Sequence, residues 1–266
     1  EWISSRTGIR ERRLVKEETT AGMSVTAARR AMENAGVSAQ EIDLIIVGTI
    51  TGDYVTPSVA CEVQAAIGAN RATAFDINAA CSGFMFALFI ADAYLKTGIY
   101  KTALILGAET LSKIMDWNDR STCVLFGDGA GAAVVRSEEA GIISMVQGSD
   151  GSRGNALVCH NREVNNPYVK NSCELDYTSM DGQAVYKFAV KTVPLAIMQA
   201  LDQAGVSADE IKYFILHQAN IRIIEAVAKK MGQPIEKFPT NLQECGNISA
   251  GSVPILLDFV NKEGKL

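Results

Sequence analysis

"ENAGVSAQEIDLIIVG" (residues 33–48) and "DQAGVSADEIKYFILH" (residues 202–217) are two copies of one structural unit. Aligned from Ala31 against Ala200, they agree at nine of seventeen positions with a constant offset of 169. In each copy an apolar helix runs into a glycine, Gly36 or Gly205, placed for a left-handed C-terminal cap. Ser38 with Glu41, and Ser207 with Glu210, then have the S-x-x-E spacing of a capping box. A continuous apolar run follows, 44–48 or 214–217, which suits a strand covered on both faces of a parallel sheet. The duplication predicts two similar α/β halves, residues 1–148 and 149–266, the second beginning with a polar, irregular crossover at 149–180. It also sets a puzzle, because the first copy ends in Gly48 and the second in His217.

Working outward, the pattern predicts a helix at 57–67 stopped by Gly68, a strand at 72–77, an apolar helix at 82–97 stopped by Gly98, and a strand at 102–108. Strand-like stretches at 124–135 and 142–148 complete the first half. A long helix at 182–204, with Pro194 inside it, opens the helical part of the second.

With 266 residues, 48% hydrophobic content and 22 glycines, the composition is that of a globular α/β protein. A net charge of −5 argues against wholesale nucleic-acid binding. The apolar run at 83–91 falls well short of the roughly 20 residues that span a bilayer, so no membrane association is predicted. Six cysteines without CxxC spacing or disulfide density fit a reducing cytoplasm. Basic residues cluster at Arg6, Arg10, Arg12, Arg13 and Lys16, and again at Arg222, Lys229 and Lys230, which is either a solvated face or a surface for phosphates or an acidic protein.

Ligands of open parallel sheets collect beyond the carboxyl ends of the strands, and His217 falls at such an end. It reads equally as a reactive imidazole or a satisfied core histidine, whereas His160, in the crossover, reads as surface. Cys81 follows a predicted strand and precedes an apolar helix, a setting in which the helix dipole favours thiolate and hence a nucleophile. Cys61, Cys123 and Cys173 lack that setting and read as buried structural thiols. Asn247, in "ECGNISAGS" (244–252), is a cap or turn residue taken alone. The glycine-rich "FGDGAGAAVV" (126–135) lacks both the G-K-[ST] ending and the GxGxxG spacing of phosphate loops, and reads as a tightly packed strand.

Taken together, "WISSRTGIRERR" (2–13), "FDINAACSGF" (75–84), "DWNDR" (116–120), "LFGDGAGAAVV" (125–135), "HQANIRII" (217–224) and "GNISAGSVP" (246–254) resemble the β-ketoacyl-acyl carrier protein synthase III family, in the family's order and nearly end to end. The resemblance implies a thiolase-like layered αβαβα fold of two duplicated halves with mixed, mainly parallel sheets, in a cytoplasmic homodimer. It implies an initiating condensation, in which an acyl group passes from coenzyme A to cysteine and condenses with malonyl-acyl carrier protein as carbon dioxide leaves. It implies no resident cofactor and no metal, coenzyme A thioester being a substrate. Cys81, His217 and Asn247 match the family's catalytic triad; Trp2, Arg6, Arg120, Gly182 and Ala219 match coenzyme A contacts; Arg222 matches a carrier-protein docking position. Thr56 and Phe126 match the acyl pocket, and Thr56 stands where members restricted to short primers carry phenylalanine, which predicts longer or branched primers here. Measured against the family, the sequence lacks the opening strand and the closing glycine-rich segment, so it reads as a piece of a longer chain, and Cys245 stands where histidine is usual.

Three other readings stay open at this stage. A secondary-metabolite ketosynthase or acyltransferase shares the triad, though "RTGIRERR" and "DWNDR" favour the initiating enzyme. An inactive carrier-protein-binding scaffold would not need all three triad residues. A papain-like protease shares the order cysteine, histidine, asparagine, but Cys81 lacks its local signature and such chains do not duplicate an α/β unit.

Overall fold

The computed structural model describes residues 2–138, 141–171 and 176–266, the side chain of Trp2 excepted. Helices α1 (Trp2–Thr7) and α2 (Thr20–Ala35) lead into β1 (Leu44–Gly48), α3 (Val59–Ile67), β2 (Thr73–Ile77), α4 (Gly83–Lys96), β3 (Thr102–Thr110) and β4 (Asp128–Arg136). Two short strands, β5 (Leu157–Val158) and β6 (Ser179–Met180), precede α5 (Gly182–Ala204), α6 (Ile221–Met231), α7 (Leu242–Cys245) and α8 (Ser252–Lys262).

The main sheet has the order β2-β1-β3-β4. β1 is parallel to both β2 and β3, and β4 returns antiparallel to β3. Its central strands alternate between two apolar layers, which is why their sequence is apolar throughout. Ile45, Val47, Leu104 and Leu106 meet α2 and α3 through Ala28, Ala60 and Val63. Leu44, Ile46, Ala103 and Ile105 meet α4 and α8 through Phe84, Ala87, Ala91, Leu95 and Val253. Each of these larger side chains stabilises the fold by about 1.5–3 kcal/mol on burial. A third cluster, with Ile9, Phe214, Ile224, Val227 and Phe238, ties α6 to the chain's N-terminal segment, and Val193 and Ile197 of α5 pack against it.

Both copies of the repeat form the local structure read from the sequence. Gly36 and Gly205 cap α2 and α5 at φ 62° and 65°, and both capping boxes are made. The copies then diverge. Residues 44–48 form β1, whereas 214–217 form no strand: the Phe214 N–H bonds the Lys237 carbonyl at 2.8 Å, but no ladder develops from it among the described residues. The stretch 142–148 is likewise not a strand, no ladder developing there among the described residues. The predicted strand at 124–135 begins only at Asp128, because turns close over 119–125 and the chain at Phe126 is held in a parallel bridge to Asn247. The glycine-rich stretch packs as read, with Gly131 closely covered by Pro254 and Ile255. Among the described residues α5 alone is long and apolar enough to cross a membrane, with mean hydropathy 1.2.

Candidate functional site

The register of the sheet brings Gly48, Ile77 and Gly107 level at one edge, so the chain leaving β1, leaving β2 and finishing β3 emerges together. The loop after β1 brings Thr49 and Thr51, the turn after β2 brings Cys81, and the end of β3 brings Glu109. The turn at 249–251 closes the group from the second half. It can approach because Gly107 carries no side chain: a Cβ there would lie 2.0 Å from the Ala250 carbonyl oxygen. Two residues without glycine's freedom hold positive φ in these facing turns, Ala80 at 44° and Ser249 at 46°. Such conformations cost about 1–2 kcal/mol and gather where a site must hold a particular shape.

Ser249 joins the components. Its backbone N–H donates to Asn247 Oδ1 at 2.8 Å, its hydroxyl bonds Glu109 Oε1 at 3.2 Å, and the same hydroxyl favours the thiolate form of Cys81. With Oδ1 occupied, the Asn247 amide has its Nδ2 hydrogens left to offer to another oxygen. Asn247 is therefore both the turn residue that it reads as alone and a directed donor. Phe126, bridged to it, is buried with Leu111 and Met115.

The electrostatics correct one expectation. The helix-start setting of Cys81 predicts a lowered thiol pKa, but burial pushes the thiol up to about 11, and the Glu109 carboxylate adds to the rise. The Ser249 hydroxyl and the backbone amide at Cys81 oppose it without overcoming it. Burial also pushes the Glu109 carboxyl up to about 7, against hydrogen bonds from Thr51, Ile50, Ser249 and Thr49. His217, half-buried with an unpartnered buried Nδ1, is lowered to about 4 by burial and is neutral at ordinary pH.

The remaining predicted residues are mostly exposed. Trp2 opens α1, but its side chain lies outside the described residues. Arg6 and Arg120 are exposed, Gly182 is exposed at the start of α5, and Ala219 is half-buried two residues beyond His217. Arg222 donates to the Ser5 carbonyl at 3.2 Å, which ties α6 to α1. The Arg12 guanidinium binds the carbonyls of Phe126 and Cys123 and lies over Trp117. Thr56 is exposed in the loop after β1, beside Tyr54 and Val55 at 62% and 98% exposure. Of the thiols read as buried, Cys123 is, Cys61 is exposed because its helix faces solvent there, and Cys173 lies outside the described residues. His160 is exposed, as expected.

Glu109 and Ser249 were not singled out from the sequence. A charge inside the apolar "TALILGAET" (102–110) is the signal that marks Glu109. Ser249 has no such signal, because its partner in that bond is 140 residues away.

Residues 75–151 match the family described as 3-oxoacyl-[acyl-carrier-protein (ACP)] synthase III, and residues 201–266 match its C-terminal part. The chain is 50% identical over 268 residues to a β-ketoacyl-[acyl-carrier-protein] synthase III of Clostridium acetobutylicum, covering 100% of this chain and 82% of that one. The solved 3-oxoacyl-[acyl-carrier-protein] synthase III of Aquifex aeolicus is 45% identical with a TM-score of 0.91, over 100% of this chain and 82% of that one. The priming β-ketosynthase of the R1128 polyketide biosynthetic pathway is 37% identical with a TM-score of 0.92, over 100% and 80%. The fold shared with these structures is the layered thiolase-like α/β fold.

Proposed function

The chain belongs to the 3-oxoacyl-[acyl-carrier-protein] synthase III family, and from that membership we propose how its residues divide the family's work. The enzyme is an acyltransferase that carries out the initiating condensation of fatty-acid synthesis. Cys81 is its nucleophile. The sulfur attacks the thioester carbonyl of acyl-coenzyme A, the carbon–sulfur bond to coenzyme A breaks, and the thiol proton leaves with the coenzyme A sulfur. Malonyl-acyl carrier protein then loses carbon dioxide, its electron pair moves onto the thioester oxygen, and the resulting carbon attacks the acyl-cysteine to release the Cys81 sulfur. No resident cofactor or metal enters this sequence.

Asn247 Nδ2 and a neutral His217 N–H meet the developing oxygen charge. The observation that carries this reading is the junction at Ser249, where the orientation of the Asn247 amide and the environment of the Cys81 sulfur are fixed by one residue. Trp2, Arg6, Arg120, Gly182 and Ala219 hold coenzyme A and its pantetheine arm, indole and guanidinium groups being suited to stacking on adenine. The face carrying Arg222, Lys229 and Lys230 receives the acidic carrier protein.

A second copy of the chain completes the acyl pocket, with Thr56 and Phe126 at its wall. Among the described residues β2 is the sheet's edge strand, paired with β1 alone, and the exposed loop with Tyr54 and Val55 lies after its neighbour. An open edge next to exposed apolar side chains is a surface that a homodimer would cover. The two duplicated halves are 1–148 and 149–266, and the enzyme works in the cytoplasm. The likeness to a priming polyketide ketosynthase keeps a specialised pathway as the second reading, and it differs from the first in primer, not in chemistry.

The test is condensation of acyl-coenzyme A with malonyl-acyl carrier protein, followed as 3-oxoacyl-carrier protein formed. Cys81→Ser abolishes it and Cys245→Ser does not; the opposite pattern would refute the assignment.

A further inference from the structure

Glu109 is fully buried at the floor of the site, and its two oxygens are treated unequally. Oε2 accepts from Thr51 Oγ1 at 2.5 Å, from the Ile50 N–H at 3.1 Å and from Thr49 Oγ1 at 3.3 Å. Thr51 Oγ1 accepts the Thr110 N–H at 2.8 Å and gives its hydrogen to Glu109 Oε2. Oε2 is thus supplied with donors and has little room for a proton of its own. Oε1 accepts only at longer range, from the Ile50 N–H at 3.3 Å and the Ser249 hydroxyl at 3.2 Å, and is the oxygen with room for a proton.

We propose that Glu109 is a positioning residue for the nucleophile: carrying its proton on Oε1, it donates to Ser249 Oγ and so leaves the Ser249 hydrogen to be given to the Cys81 sulfur. No bond is exchanged in this arrangement; one hydrogen-bond chain takes one of two directions. When Glu109 loses its proton, the Ser249 hydrogen turns to Oε1, and the sulfur loses its donor and gains a neighbouring negative charge. The rise of the Glu109 carboxyl to about 7 keeps the first direction populated up to neutral pH.

Among the described residues, the other titratable groups of this site are Cys81 from the turn before α4, the Lys113–Asp53 pair, Asp128 at the start of β4 and, on the proposed reading, His217, which is neutral. Lys113 and Asp53 engage each other at 2.5 Å, and Asp128 accepts from the Val15 and Ser112 N–H groups. The closing turn at 249–251 brings no charge of its own.

This inference rests on the reading of Cys81 as the nucleophile, but its test does not need acyl transfer. Alkylation of Cys81 by iodoacetamide, located by peptide mass spectrometry, is followed against pH in the wild type and in Glu109→Gln, whose amide donates to Ser249 at every pH. In the wild type the rise of rate with pH flattens above about 7. In Glu109→Gln it continues, giving about tenfold faster alkylation at roughly pH 8, the change that one pKa unit in the thiol produces. Profiles that coincide would overturn the proposal. Should the variant not fold, infrared spectra of the wild-type chain decide: a protonated-carboxyl band near pH 6 that moves when Cys81 is alkylated is the expected result, and its absence contradicts the proposal. If the profiles differ as expected while acyl-coenzyme A leaves no acyl group on Cys81, the functional reading fails and the coupling stands.

Discussion

Cys81, His217 and Asn247 differ in how much of the role proposed for them is written beside them in the chain. The turn-before-helix setting of Cys81 is local and legible, but the direction of its pKa is not, because burial and Glu109 come from residues far along the sequence. Asn247 reads as a turn residue until Ser249 is seen to occupy its Oδ1. Asn247→Ala is expected to slow condensation by about 10²–10³ while sparing the acylation of Cys81, since the charge it meets develops on the malonyl thioester. Separate stopped assays of the two half-reactions check this; equal loss in both would remove Asn247 from that role. His217 gives a pH prediction. Its pKa is lowered from 6.5 to about 4, so the neutral form is favoured in the folded state and is retained as pH falls through the ordinary imidazole range. The acid limb of kcat for condensation should therefore lie nearer 4 than 6.5 wherever His217 controls it, and a limb at the ordinary value that vanishes in His217→Gln would contradict a neutral donor.

Among the elements, the helices and caps of the first half and its strands β1, β2 and β3 follow their sequence signals because those signals are local: periodicity, glycine at C-caps, serine with glutamate at capping boxes, whereas the strand read at 124–135 starts late and that at 142–148 does not form. The second copy of the repeat shows the limit of that reading. Its cap and box form, but residues 214–217 make no strand, since a ladder depends on a neighbour that no short stretch of sequence specifies. The meeting of the closing turn with β3 was also invisible, and it rests on Gly107. Gly107→Ala would drive a Cβ into the Ala250 carbonyl oxygen, so the turn must move and take Ser249 with it. Loss of about 3 kcal/mol is expected, as for an overpacked core. A denaturant midpoint unchanged from wild type would show that the turn is free to move.

At the scale of the whole molecule, a chain of net charge −5 carries Arg222 where α6 meets α1. Arg222→Glu should weaken the use of malonyl-acyl carrier protein and reduce its dependence on salt, while leaving a small malonyl thioester unaffected. Steady-state kinetics with both donors make the comparison, and equal loss with both would mean that Arg222 serves folding or chemistry instead. On the proposed reading, primer choice belongs to a dimer. Thr56→Phe should shift preference towards acetyl-coenzyme A, since each methylene excluded from an apolar pocket forgoes about 0.8 kcal/mol. Competition between acetyl and branched acyl-coenzyme A measures it, and an acetyl preference already present in the wild type would refute the open pocket. The central claim is narrower than either of these: one sulfur, at the carboxyl edge of the parallel strands, carries the acyl group. Mass spectrometry of the full chain after incubation with acyl-coenzyme A, before any malonyl donor is added, tests it directly. The account predicts a single acyl mass on the peptide containing Cys81 that disappears when malonyl-acyl carrier protein is supplied; an acyl group on another cysteine, or an unmodified Cys81, would contradict it.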